Sequence, residues 1–182
     1  VIIGEGEEVA PEIFSKAVKG EDLPRVVYTK SPYYEKIPTI KHASIYGCVE
    51  ISRGCGRNCQ FCTPTMRNRI SFPLDKIMKE VEINVKEGSN MILLNTEDAL
   101  LYGAKEGSFI PNRKAVLNLF KTVSSYPEVK IIQPAHISLT PVVADADLIH
   151  DLSEILAYHT LAKHHGKPVM TAEIGLETGS PR

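Results

Sequence analysis

Three of the four cysteines in this sequence, Cys55, Cys59 and Cys62, fall within eight residues in the spacing C-x-x-x-C-x-x-C. A loop that gathers three thiolates so tightly is suited to iron or zinc. Four-iron clusters normally take four cysteines, so three leave one iron without a protein ligand. Such an iron can bind a small molecule, as a catalytic zinc does at its open position. Zinc is the other reading of this donor set, with Cys48 or His42 as a fourth ligand. Structural zinc sites pair their ligands on two knuckles, and the second pair is missing from the sequence. A disulfide framework is disfavoured, because clustered cysteines with no visible signal peptide lead us to expect a reducing compartment, the cytoplasm.

The elements that must position this loop follow from periodicity. Before it, Val1–Ile3 reads as a buried strand, Gly4–Glu8 as a turn, and Val9–Val18 as a helix with Pro11 in its first turn and Gly20 as its stop. The G-x-G of the turn does not extend to a dinucleotide fingerprint, since its third glycine would fall at Val9. Residues 21–43 carry Pro24, Pro32 and Pro38 without a sustained period and read as a linker. From Ala43, the alternation of Ile45, Val49 and Ile51 predicts strand one, which runs directly into the cysteine loop.

Leu74, Ile77, Met78, Val81 and Val85 then predict a helix that Gly88 ends. Met91–Leu94 predicts strand two, followed by a polar loop from Asn95 to Asp98. A helix beginning at Pro111 buries Val116, Leu119, Phe120 and Val123, and Val129–Gln133 predicts strand three. A long helix over about Asp145–His164 turns Leu148, Leu152, Ile155, Leu156 and Leu161 inward, and Val169–Ile174, closed by Gly175, predicts strand four. Strands alternating with helices predict a parallel sheet covered by helices, with the cysteine loop at the strand ends where barrel enzymes place their chemistry.

Composition narrows the function further. The chain has 182 residues, 43% hydrophobic and 24% charged, which suits a globular protein with one sizeable core. A net charge of −1 gives no field to draw in nucleic acid or an anionic membrane. Arg53, Arg57, Arg67 and Arg69 crowd the cysteine loop, where they would meet an anionic ligand or stand as solvated surface groups. No apolar run reaches the length of a membrane span. The chain starts inside an apolar run and stops just after a strand-like one, so we expect it to be a piece of a longer protein.

The cysteine spacing, with Phe61 just before the last cysteine, resembles the radical S-adenosylmethionine (radical SAM) enzymes. The resemblance implies that Cys55, Cys59 and Cys62 hold a 4Fe–4S cluster and that SAM chelates the open iron through its amino and carboxylate groups. It further implies reductive cleavage of SAM to a 5′-deoxyadenosyl radical, an external electron donor, and Phe61 near the SAM adenine. The implied fold is α/β, a partial (βα) barrel truncated to about four strands over residues 44–182.

Asn95-Thr96-Glu97 stands where the family has a glycine-glycine-glutamate motif; both glycines are replaced, while Glu97 would bind the SAM ammonium and Thr96 add a carbonyl. The segment from Glu173 to Ser180 resembles the end of strand four in the cobalamin-linked class, which implies Glu177 and Thr178 near the SAM ribose or methionine. Residues 1–20 resemble the last βα unit of the cobalamin-binding, Rossmann-like domain of that class, which leaves cobalamin as a further cofactor of the longer protein. Two other readings stand beside this one: a methylthiotransferase of the radical SAM type acting on RNA or protein, and a non-catalytic binding module stabilised by zinc or an iron–sulfur cluster. His136, just after strand three, falls on the same end of the sheet as the cysteines.

Overall fold

The computed structural model of the chain describes residues 1–30, 34–62 and 67–175. The chain divides into two compact units, Val1–Thr39 and Ile40–Arg182.

The first unit is a small strand–helix–strand. Strand β1 (Ile2–Ile3) pairs in parallel with β2 (Val27–Tyr28), and helix α1 (Ala10–Lys19) connects them. Pro11 sits in the first turn of α1, where a missing N–H costs nothing, and Gly20 ends the helix in the left-handed region. The segment read from sequence as a linker thus contributes β2.

In the second unit, a parallel sheet of three strands carries the site. Its order is β3 (Cys48–Glu50), β6 (Met91–Asn95), β7 (Ile131–Pro134). Helix α2 (Leu74–Lys86) connects the first two strands and α3 (Arg113–Ser124) the next two. The pleat gives the sheet two faces. Val49, Ile92, Leu94 and Ile132 lie on one, nearly free of solvent and covered by helices. Val116, Leu119, Phe120 and Val123 of α3 are wholly buried, as the helical spacing predicts. Helix α3 packs on α5 (Ala146–Leu156) through Leu148, Leu152 and Leu156. Arg113 fixes that pair by ion pairs of 2.6 Å to both Asp145 and Asp151. A short hairpin of β4 (Ser52–Arg53) and β5 (Ile70–Ser71) closes the base of the cysteine loop.

Further readings of the sequence need correction. Val1–Ile3 is not a buried strand: β1 is two residues long, with Val1 82% and Ile3 47% exposed. Strand one starts at Cys48, not near Ala43: Ile45–Gly47 is a 3-10 turn, and Ile45 is 80% exposed. Tyr46 and Gly47 both take left-handed dihedrals, and the Ser44 hydroxyl donates to the Cys48 carbonyl, so the chain bends here. The alternation of Ile45 with Val49 and Ile51 was accidental.

The predicted long helix is two: α4 (Leu139–Ala144) and α5, which ends at Leu156. Beyond it the His159 carbonyl accepts from the N–H of Ile132, so this segment runs beside the sheet, and Leu161 is 79% exposed. A second hairpin, β8 (Lys163–His164) with β9 (Lys167–Pro168), follows.

Strand four over Val169–Ile174 is reduced, among the described residues, to one parallel bridge between His136 and Glu173. The side chain of Gln133 takes the Thr171 carbonyl and hydroxyl at 2.9 and 2.8 Å, in place of a backbone ladder.

Gly47 marks a tight contact that sets the register of β3 on β6. Its φ is +59°, and a Cβ there would lie 1.9 Å from the Met91 carbonyl oxygen. Gly88 also has positive φ, but a Cβ there meets open space. Gly47→Ala is therefore expected to cost about 2–4 kcal/mol, from backbone strain plus overlap with a strand carbonyl. Gly88→Ala should cost about 1 kcal/mol from strain alone. Urea unfolding of the two variants checks this ordering; equal losses would mean that the β3–β6 contact yields freely.

Candidate active site

The chemistry-bearing residues gather where the parallel strands end. β3 delivers the cysteine loop, β6 the loop from Thr96 to Asp98, and β7 the residues from His136 to Leu139. Between them lies a cavity of about 640 Å³. Cys55, Cys59, Cys62 and Phe61 line it, as do Thr96, Glu97, His136 and Gly175. Its size is that of pockets that enclose a whole small ligand.

Each side chain is placed by local structure. Gly54 (φ +83°) lets the chain pass within contact of the Asn68 carbonyl, where a Cβ would lie at 2.5 Å, and so pins the base of the cysteine loop. Cys55 is 8% exposed, and that burial pushes its thiol above the ordinary value, partly offset by the backbone N–H and charge of Arg57. The Cys62 N–H donates to the Cys59 carbonyl at 3.1 Å, a turn that draws those two cysteines together. All four cysteines are free of disulfides. Phe61 is 74% exposed at the cavity rim, open to stacking by a ligand rather than packed as a loop core. Cys48 is half-buried on β3 and does not line the cavity.

On the neighbouring loop, Thr96 is buried and its hydroxyl is paired with that of Ser52, which ties the start of the cysteine hairpin to the end of β6. The Thr96 carbonyl accepts from His136 Nδ1 at 3.3 Å. His136 Nε2 meets the Glu173 carboxylate at 3.0 Å. Glu97 Oε2 is buried with no hydrogen-bond partner among the described residues. An orphaned carboxylate oxygen on a cavity wall is costly unless a donor completes it.

Asp98 next to it is 3% exposed, and burial raises its carboxyl above the usual range against the opposing pull of Ser138 and Arg57. Glu177 and Thr178 lie outside the described residues.

The crowd of arginines resolves into anchors. Arg53 grips Glu50 with both Nε and Nη2, at 2.7 and 2.8 Å. Arg69 Nη2 donates to the carbonyls of Lys105 and Ser108. Arg57 joins Asp98 and Ser138. Sequence reasoning missed Glu50, Ser52 and Ser138 as parts of this region. Glu50 was within reach, because it alternates with the buried Val49 and Ile51 and so must face the other side. Ser52 and Ser138 carry no signal of their own.

Among the described residues, no three His, Cys, Asp or Glu side chains converge closely enough to hold a metal ion. The donor set nonetheless fits the implied groups: three thiols face one cavity, and the buried carboxylate oxygen beside them lacks a donor that an ammonium would supply. In such sites the metal commonly completes the ordering of its own loop.

No family model matches the chain. It is 28% identical over 171 residues to the proteins named ribosomal protein uS12 methylthiotransferase RimO in Thermotoga petrophila and Thermotoga maritima, covering 90% of this chain and 37% of each relative. It is 37% identical over 71 residues to the protein of the same name in Carboxydothermus hydrogenoformans, covering 38% of this chain and 16% of that relative. The chain thus spans little more than a third of the length of the curated relatives it matches over most of its own.

These relatives are enzymes by name, which supports the enzyme reading. The similarity supports the radical SAM superfamily and a 4Fe–4S cluster with SAM as its cofactors, and it lends no support to the cobalamin-linked class or to cobalamin. No helix among the described residues is long and apolar enough to cross a membrane.

Proposed function

We propose that the chain carries the cluster- and SAM-binding core of a radical SAM enzyme of the methylthiotransferase type. The observation that carries this reading is the meeting of Cys55, Cys59, Cys62 and a buried Glu97 oxygen, without a partner among the described residues, on one cavity at the ends of parallel strands. The relatives named as uS12 methylthiotransferases favour that branch. The three-stranded sheet is, on this reading, the first part of a (βα) barrel.

The protein's part is to hold and shield the cofactors. Cys55, Cys59 and Cys62 would ligate three irons. When bound, the cluster supplies the electron that cleaves SAM to a 5′-deoxyadenosyl radical. Glu97 would accept hydrogen bonds from the SAM ammonium, and the Thr96 carbonyl, held in place by His136, would offer a further acceptor. Phe61 would lie against the adenine at the rim, and Glu177 and Thr178 near the ribose or methionine. Ser52, Cys55 and Thr96 are buried parts of the cavity wall, and the rim at Phe61 is open.

The partners are SAM, a cytoplasmic electron donor and, by analogy with the relatives' name, ribosomal protein uS12. The cobalamin-linked reading rests on the β1–α1–β2 unit and on the resemblance of the segment from Glu173 to Ser180.

The test is anaerobic reconstitution with iron and sulfide, then SAM and a reductant, with and without uS12. We expect iron and sulfide in the protein and at most slow release of 5′-deoxyadenosine, and, from a protein of the relatives' full length, a methylthio mass gain on uS12. Zinc without sulfide would sink the enzyme reading in favour of a binding module. In that longer protein, cluster and SAM cleavage without modification of uS12 would keep the class and overturn the substrate.

A further inference from the structure

We propose that Arg57, Asp98 and Ser138 form a single latch that holds the cysteine loop against the loops following β6 and β7, which makes Arg57 a positioning residue for the cluster. Arg57 lies between Cys55 and Cys59, and its guanidinium reaches both other loops. Nη2 donates to Asp98 Oδ2 at 3.3 Å and to Ser138 Oγ at 2.6 Å, and Nη1 donates to Thr140 Oγ1 at 3.3 Å. The guanidinium Cζ lies over the Phe109 ring, 4.4 Å from its centre.

The acceptor side is equally committed. Asp98 is 3% exposed. Its Oδ1 accepts from the Leu100 N–H at 3.3 Å, and its Oδ2 accepts from both Arg57 and the Ser138 hydroxyl. Ser138 is thus a relay, accepting from the guanidinium and donating to the carboxylate.

The energetics explain why this closes the loop. If the cysteine loop swings out, Arg57 leaves and Asp98 keeps a buried charge without its cation. Breaking one partner of a buried pair costs more than the pair itself gains, so opening is penalised. A lysine could supply the charge but neither the fork that spans Asp98, Ser138 and Thr140 nor the planar group over Phe109. Arg53 differs, because its partner Glu50 is three residues away on the same chain segment. The latch acts in the protein before any cluster arrives and keeps Cys55 buried at the cavity wall.

The importance of the latch for catalysis rests on the proposed function; its existence does not, and the experiment separates the two. Metal-free protein is treated anaerobically with iodoacetamide, and alkylation of Cys55 and Cys48 is followed by mass spectrometry. Labelling of a buried thiol reports how often its loop opens. Arg57→Ala and Asp98→Asn should each speed Cys55 labelling about tenfold, the effect of losing one charge-assisted bond. The double variant should add little, since both changes break one unit. Arg57→Lys should restore Cys55 protection in part.

Cys48 on β3 should label at the same rate in every variant. Unchanged Cys55 labelling in both single variants, or effects that multiply in the double variant, would overturn the latch. Should Cys48 labelling rise in step with Cys55, so that the fold itself has loosened, Ser138→Ala decides: a selective gain at Cys55 supports the latch, and no gain overturns it. In reconstituted protein, Arg57→Ala should also make the cluster's reduction potential more negative, because a fixed cation nearby favours the reduced state, and Arg57→Lys should largely restore it. Faster Cys55 labelling in a protein that assembles no iron–sulfur cluster would leave the latch standing and remove the proposed function.

Discussion

Replacing Cys55, Cys59 or Cys62 singly by alanine is expected to take the iron of the reconstituted protein from about four atoms per chain to near zero. The three thiols face one cavity, and nothing else among the described residues that lines it is a soft ligand that could substitute. A cluster with two protein ligands is not held against chelation. Release of 5′-deoxyadenosine should fall more than about a hundredfold, since even residues that merely orient metal ligands cost about 10- to 100-fold when removed. Cys48→Ala should keep its iron, because Cys48 sits on β3 away from the cavity. Iron and sulfide analysis of the four variants is the measurement. Loss of the cluster in Cys48→Ala as complete as in the others would refute the three-ligand arrangement.

Glu97→Gln should weaken SAM binding about 10- to 100-fold, the scale of one charge-assisted bond made in a shielded site. The substitution keeps the size of the side chain and one carbonyl oxygen and removes the charge. Among the described residues Glu97 Oε2 is buried without a partner, so the residue gives up no bond to them when it changes, and their fold should be indifferent. A spectral titration of the reduced cluster with SAM reads the affinity. If the affinity is unchanged, Glu97 is not the partner of the ammonium, and Glu50 or Glu173, which both bear carboxylates near the cavity, become the groups to test.

The sequence made the metal ligands legible because their chemistry is local: three thiols within one loop need no knowledge of the fold to be noticed. Helices α2 and α3 were equally clear, since their buried faces repeat at helical spacing over three turns or more. Short strands were harder. The turn at Ile45–Gly47 continues the apolar alternation of β3 for purely accidental reasons, and its left-handed Tyr46 leaves no mark that pattern reading detects. The end of α5 was hidden because Leu161 falls on the helix period although the chain has already left the helix. The arginines show a different limit. Their number near the cysteines suggested a field for an anion, yet Arg53 and Arg57 are each committed to a carboxylate far enough away, or plain enough, not to stand out in sequence. Pairing across loops is a property of the fold and not of the string.

The two faces of the parallel sheet also separate what the protein can change from what it must keep. Val49, Ile92, Leu94 and Ile132 bear the cost of folding, and Glu50, Leu93, Asn95 and Gln133 stand on the other face. Because neighbours along a strand alternate between these duties, a substitution on the second face leaves the helix contacts of the residues beside it intact. A lineage could therefore rework this second face, one position at a time, without first accumulating spare stability.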